Sequence, residues 1–377
     1  MGLQTEADVT SSSTAVQRKS YGSVGMNRKV IVNYVEFSKY PECDIYQYDV
    51  DIVPERGDFK KLPPPAYMRS VAYKEDGRTL NYVIKLREAA VVNTSIITEY
   101  MNGRGDVDMG DIQSALNALD LAIGSVLHLE MTGFNRSFFT REQSLVTSGG
   151  LELWRGFSFS VRPGIGKLYL NVNTAVTAMY TPGSLLDALM SLLDMRDPSQ
   201  LRGRLTPQTV REMGSYLRGL ILYNEHRGVQ GKRKFSVRGA TSRPLDQETF
   251  EWEDPERPGQ PETISVADYF HRRYRIDLRY PFLPGLIGRK NSVFPIEFCE
   301  IAEKQRYKGK LDDRQTADMV KFACQRPGDN TNRILDILKR RRLGDSPAVK
   351  SFGLALPEKL IEVDSRVLPV PTIHYGP

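Results

Sequence analysis

The strongest constraint on this chain is an alternation of apolar and polar residues, with a period of two, in two runs that flank a turn. Residues 151–161 read LELWRGFSFSV and residues 167–176 read KLYLNVNTAV, with Arg162-Pro163-Gly164-Ile165-Gly166 between them. Successive strand side chains point to opposite faces, so Phe157, Phe159 and Val161 predict one buried face of a sheet. The same period runs through VIVNYVEF (30–37), DIYQYDVDIV (44–53) and LNYVIKL (80–86), with Ile45, Tyr48, Val50 and Ile52 as the apolar positions of the second. A chain with this much strand text must assemble sheets.

Helical spacing appears between the strand runs. Ile112, Ala115, Leu116, Leu119 and Ile123 share one face of a helix near Asp111–Ile123, with Asp111 as its cap. Ser184 caps a helix carrying Leu185, Leu186, Leu189, Met190 and Leu193, and Thr206-Pro207 opens another with proline at its first position. Strand text resumes at Leu217–Tyr223, and Glu251–Pro261 is acidic and proline-bearing, hence a loop. Ser265, with Asp268 three residues on, caps the short helix SVADYFHRRY, which runs into a strand alternating Tyr274, Ile276, Leu278 and Tyr280. A strand near Phe294–Glu300 and helices near Asp313–Ala323 and Asn332–Arg341 follow, and the residues after Leu343 read as mostly extended. Residues 1 to about 27 are polar and aperiodic and read as a disordered tail, while Lys61 to Pro65 and Tyr180 to Gly183 interrupt regular structure. The mixture is α+β, and 377 residues suit two or three domains.

Composition excludes several classes. At 40% apolar and 26% charged residues the chain is too apolar to be mostly disordered. No window approaches the roughly 18 consecutive apolar residues of a membrane span, and the polar N-terminus lacks a secretory layout. Cys43, Cys299 and Cys324 are far apart, form no CxxC pair and argue against structural zinc or a disulfide framework. The net charge of +6 permits a polyanionic partner, and its placement is more telling. Residues 201–245 hold ten Lys or Arg against two acids, interleaved with Tyr216, Tyr223 and Phe235. Cations can follow a phosphate backbone while aromatic faces stack on bases, although a solvated surface has the same composition. The second basic cluster, Lys339 to Arg342, ends a helix, where cations complement the helix dipole.

Catalytic chemistry is scarcely legible. The four histidines, His128, His226, His271 and His374, lie in no nucleophile context, and neither a GxxxxGK[ST] loop nor a strand–GxGxxG–helix occurs. Asp49 and Asp51 share one face of a strand, as paired metal carboxylates would, but alternation makes that the solvent face. Asp312-Asp313 reads as a helix cap. No metal or cofactor is expected, and the residues read as those of a binding protein.

Three stretches carry a resemblance. KRKFSVRGATSRPLDQETF (232–250), ISVADYFHRRYRIDLRYPFLPGL (264–286) and FPIEFCEIAEKQRYKGKLDDRQTADMVKFA (294–323) closely resemble, in order, the PAZ domain of eukaryotic Argonaute proteins. DIYQYDVDIVPE resembles the start of the Argonaute N domain. FNRSFFT (134–140) and residues 153–180 resemble the first linker, and residues 351–377 the second. The resemblance implies a multi-domain α+β chain: a tail (1–27), a shortened N domain (28–125), linker 1 (126–181), PAZ (182–326) and linker 2 (327–377). It implies for PAZ an OB-like barrel with an inserted hairpin-and-helix module, whose cleft holds the 3′ end of a small RNA. Carried over residue by residue, Phe250 stacks on the terminal nucleotide, and Tyr269 and Tyr274 donate to the last phosphodiester. Phe235 stands where tyrosine is usual, and His271 where lysine is common. His226 aligns with a phosphate-binding histidine only across one extra residue, Arg227 being the ungapped candidate, and Lys232, Arg233 and Lys234 follow the backbone. The residues alone leave Tyr274 equally suited to core packing, Phe250 to covering its hairpin, and Tyr280 and Phe294 to the core.

The expected partner is therefore the single-stranded 3′ end of a small RNA or siRNA duplex, together with silencing-complex proteins and without a membrane. The expected role is cytoplasmic RNA silencing, with a nuclear location as the alternative. Nothing in the chain resembles the family's MID or PIWI domain, so no catalysis is expected of it. The rivals are the N-terminal fragment of a guide-directed RNA slicer and a truncated interaction scaffold.

Overall fold

Alternation and helical spacing translate into nineteen strands and eight α-helices among the described residues. The computed structural model describes residues 22–41, 43–54, 66–75, 78–103, 107–202, 206–226, 232–255 and 259–373. In chain order come β1 (Met26–Ile31), β2 (Tyr34–Glu36), β3 (Ile45–Pro54), β4 (Ala66–Glu75), β5 (Arg78–Val92), α1 (Ser95–Met101) and α2 (Met109–Leu127). Then follow β6 (Thr132–Phe134), β7 (Ser137–Thr147), β8 (Leu151–Pro163), β9 (Leu168–Tyr180), β10 (Gly183–Ser184), α3 (Leu185–Leu192) and α4 (Pro207–Leu217). Next are β11 (Ile221–Asn224), β12 (Arg233–Ser236), β13 (Gly239–Pro244), β14 (Thr249–Glu253), β15 (Pro261–Ser265) and α5 (Val266–Tyr274). The chain ends with β16 (Pro284–Ile287), β17 (Val293–Pro295), β18 (Cys299–Ile301), α6 (Asp313–Ala323), α7 (Pro327–Arg341), α8 (Pro347–Ser351) and β19 (Glu362–Val367). Two units are distinguished: residues 1–138, 158–174 and 327–377, and residues 139–157 and 175–326. The strands β7, β8 and β9 contribute residues to both. No described helix is long and apolar enough to cross a membrane.

In the first unit β5 is the central strand of a three-stranded antiparallel sheet with β3 and β4. Asp49 and Asp51 are exposed as expected, and Asp49 pairs with Arg87 at 3.5 Å. The opposite face departs from expectation, since Tyr48, Val50 and Ile52 are between 49% and 59% exposed. Period two describes the pleat correctly, but no layer covers that face among the described residues. The helix α2 buries Ile112, Ala115, Leu116, Leu119 and Ile123, and its cap is Asp108 rather than Asp111. Asp111 is the third helical residue, and its backbone N–H donates to the Asp108 carboxylate at 3.2 Å. The stretch after Leu343 holds α8 as well as β19, which pairs with β1 from Met26↔Val367 to Ile31↔Glu362. The tail reading therefore fails at Met26, and its residues 1–21 lie outside those described, as does the proline run 63–65. At the end of α7, Arg340 binds Asp336 at 2.8 Å and Arg341 binds Glu130, which gives both cations structural roles.

The second unit has a core shared by two sheets. β10-β18-β11-β12 forms one and β13-β16-β17 the other, and Leu222, Val237, Leu286 and Ile301 bring both into one apolar cluster with Leu185, Leu189 and Met213 from α3 and α4. Helix caps follow the sequence closely: Ser184, Thr206, Ser265 and Asp312 each accept the N–H of the third helical residue, and Asp312 and Gln315 complete a capping box. Leu217 ends α4 instead of opening a strand, so β11 starts only at Ile221. The expected strand near Phe294–Glu300 is split by a 3₁₀ turn at Ile296–Phe298. Residues 275–280 alternate exposed and half-buried as a strand would, yet have no ladder partner among the described residues. Arg275 adopts a left-handed φ of 56° that closes α5. Glu297 then replaces the ladder, its carboxylate accepting the backbone N–H groups of Arg279 (3.1 Å) and Tyr280 (3.4 Å). Burial raises the Glu297 carboxyl above the usual range, against the lowering effect of these two hydrogen bonds.

Two buried groups give direct tests. The Thr241 hydroxyl donates to the Arg243 carbonyl at 2.6 Å and accepts the Gly285 N–H at 2.9 Å, joining β13 to β16 at a 4% exposed position. Thr241→Val keeps the shape and leaves a buried N–H unpaired, so it should destabilise by about 1–3 kcal/mol. A urea titration reads this as a lower midpoint at unchanged slope. Cys299 Sγ lies 3.3 Å from the Pro295 carbonyl oxygen, and burial pushes its thiol up to about 12. An unfolded thiol titrates near ~8.5, so the stability associated with this group is full at neutral pH and is lost as pH rises from there toward 12. At pH 8 a thiol reagent should modify the exposed Cys43 and Cys324 rapidly and Cys299 only after denaturation. Three fast equivalents would contradict the burial.

Candidate functional site

Ser265 closes β15 and caps α5, so the β14–β15 hairpin delivers the chain directly into a helix. The hairpin register sets Phe250 opposite Ile264 and Trp252 opposite Glu262. Phe250 and Trp252 are two residues apart and so project from one face of β14. On α5, Phe270 is 3% exposed, packs with Leu245 and Val266, and stacks on Phe298 at 6.1 Å and 15°. This anchor leaves Tyr269 and Tyr274 half-buried at its sides.

The rings then meet edge to face. Tyr269 lies 5.3 Å from Phe250 and 5.6 Å from each of Trp252 and Tyr274, centroid to centroid. Its hydroxyl is 3.4 Å from that of Tyr274. Tyr274 in turn meets His226 at 4.9 Å, and His226 hydrogen-bonds through Nδ1 to Asn224, a buried residue at the end of β11. Phe250, 37% exposed, leaves ring surface open to solvent at one end of this run. The arrangement offers an open aromatic surface and, behind it, two adjacent phenols. It is suited to stacking on a planar group and to donating hydrogen bonds to an anionic oxygen.

Four of the sequence candidates are thus brought together: Phe250, Tyr269, Tyr274 and His226. The others are placed differently. Phe235 meets Phe294 at 4.3 Å with the rings tilted by 33°, and packs against the core of the two sheets. Lys232 binds both Glu225 and Glu300, the latter at 2.7 Å, and lies 4.9 Å over the Tyr223 ring, so two carboxylates already answer its charge. Arg233 and Lys234 are exposed on β12 and have no acidic partner among the described residues. His271 lies two residues beyond Tyr269, a spacing that turns it to another side of α5, and it contacts Asp277 at 2.6 Å. Arg227 lies outside the described residues. Sequence reasoning missed Trp252 and Asn224. The spacing of Trp252 from Phe250 could have found the first, whereas nothing local marks the second.

Known proteins resemble the chain over most of its length. Residues 187–320 match the PAZ domain family and residues 133–181 the Argonaute linker 1 domain family. The protein argonaute of Schizosaccharomyces pombe is 28% identical over 405 aligned positions, which cover 97% of this chain and 47% of the relative. The chain therefore spans about half the length of this curated relative. The crystal structure of Kluyveromyces polysporus Argonaute with a guide RNA has a similar fold, at a TM-score of 0.55 and 16% identity over 94% of this chain and 46% of that one. A Drosophila Argonaute PAZ domain, solved with 3′-end 2′-O-methylated RNA, is 26% identical and covers 32% of this chain and 99% of its own, at a TM-score of 0.26. The chain thus carries an Argonaute linker 1 domain followed by a PAZ domain, and along nearly its whole length it is similar to an argonaute.

Proposed function

We propose that this chain binds small RNA, its PAZ domain capturing the 3′ end of a guide or of a duplex with a two-nucleotide overhang, and that it does so without catalysis. The observation that carries the reading is the half-open Phe250 ring set against Tyr269, with the Tyr269 and Tyr274 hydroxyls adjacent behind it. An unpaired terminal base has a free face, and stacking it on an aromatic ring contributes about 1–3 kcal/mol. The two phenols donate to the last phosphodiester, and the ribose 2′-hydroxyl distinguishes RNA from DNA. Arg233 and Lys234 follow the backbone beyond it. Lys232 is less suited to that role, since its two glutamates would have to release it. Phe235 lacks the hydroxyl that a tyrosine would donate. The PAZ match supports the reading, and the likeness of fold to an Argonaute solved with a guide RNA is consistent with it.

The test compares a duplex bearing a two-nucleotide 3′ overhang with the same duplex made blunt. The overhang should bind at least about tenfold more tightly, and Phe250→Ala should remove roughly 1–3 kcal/mol of that affinity. Affinity should also fall steeply with salt. Equal binding of the two duplexes, or an unchanged Phe250→Ala, removes the pocket assignment.

A further inference from the structure

A second cleft lies in the same unit, away from the Phe250 run, between the C-terminal end of α4 and the loop that follows β18. Its volume is about 680 Å³, within the range of small-molecule sites. Tyr180 and Tyr216 form its floor, and their hydroxyls are already engaged by the carbonyls of Tyr216 (2.7 Å) and Gly150 (3.4 Å). Tyr307 stands against both rings, 5.4 Å from Tyr180 and 6.2 Å from Tyr216, and is only half-buried. Its hydroxyl reaches the Lys310 carbonyl at 3.3 Å. The ring packs so closely on the loop that a Cβ at Gly309 would collide with it.

The rim is cationic. Arg218, Lys308 and Lys310 line the cleft, are exposed, and have no acidic partner among the described residues. The one acid in the lining, Glu212, accepts from Gln208 at 3.1 Å. Arg218 follows α4, where the helix dipole alone would favour a cation. Lys308 and Lys310 follow no helix, so the dipole does not account for them. Lys232 is neutralised by two carboxylates, whereas these rim charges are available to a ligand.

We propose that this cleft is a nucleotide site, the base lying against Tyr307 and the phosphate held by Lys308, Lys310 and Arg218. The shared chemistry is a nucleoside phosphate, supplied free in solution or as one nucleotide of a bound RNA chain. Titration calorimetry of the full chain at low salt, with AMP, inorganic phosphate and an overhang-bearing RNA duplex, tests it. The variants are Lys308→Ala with Lys310→Ala, Tyr307→Leu and, as reference, Phe250→Ala.

A free-nucleotide site predicts that AMP binding weakens about tenfold or more in both cleft variants and is unchanged in Phe250→Ala. A nucleotide of bound RNA predicts no heat from AMP, with RNA affinity lowered by both cleft variants additively with Phe250→Ala. Three results overturn the proposal: no effect of the lysine pair on either ligand, inorganic phosphate binding as tightly as AMP, or AMP binding lost in Phe250→Ala. The lysines are exposed, so their variant tests the site even if Tyr307→Leu impairs folding. The AMP arm does not depend on the overhang reading, and failure of that reading leaves it intact.

Discussion

Ser265 links two kinds of secondary structure through one hydroxyl. It is the last residue of β15 and the N-cap of α5, accepting the Asp268 N–H at 3.0 Å and donating to the Asp268 carboxylate at 2.7 Å. No linker intervenes, so the direction of the helix is fixed by the hairpin that precedes it. Phe270, pinned beneath against Phe298, fixes the helix's rotation about its own axis. Direction and rotation together determine where Tyr269 and Tyr274 emerge, and therefore that they meet Phe250 and Trp252. The ring run follows from these two constraints.

The distribution of charge is as selective as that of the rings. Among the described residues, the cations of 201–245 do not form one continuous basic surface. Arg202 stacks over Phe282 at 4.7 Å, Lys232 is bound by two glutamates, and α4 interrupts the strands. Arg233 and Lys234 keep available charge on β12. A composition count treats all these cations alike, whereas folding consumes some in packing and leaves others in solvent.

Much of this was legible in the sequence. Caps were the clearest signal: Ser184, Thr206, Ser265 and Asp312 act where their side chains and spacing predict, because capping is settled within four residues. Asp111 was misread for the same local reason, since Asp108 offers an equivalent carboxylate one turn earlier. Pairing was less legible. Tyr274, Ile276, Leu278 and Tyr280 have the alternation of a strand, but Arg275 turns the chain and Glu297, distant in sequence, takes the place of a partner strand. In the site, Phe250, Tyr269 and Tyr274 could be named from motif resemblance, while the engagement of Lys232 by Glu225 and Glu300 depends on the β11–β12 and β11–β18 registers. The exposed apolar face of β3 was hidden too, because alternation reports a pleat and not what lies against it.

The pair of phenols 3.4 Å apart carries one more implication. A hydroxyl has a single hydrogen, so when Tyr269 and Tyr274 bond to each other only one of them is the donor, and either can take that role. An anionic oxygen presented to both hydroxyls would turn both hydrogens toward it, exchanging the bond between the rings for two bonds to that oxygen. The two hydroxyls therefore satisfy each other in part. Rotation about the two C–O bonds is enough to redirect both hydrogens, so the pair shares one hydrogen-bonding choice.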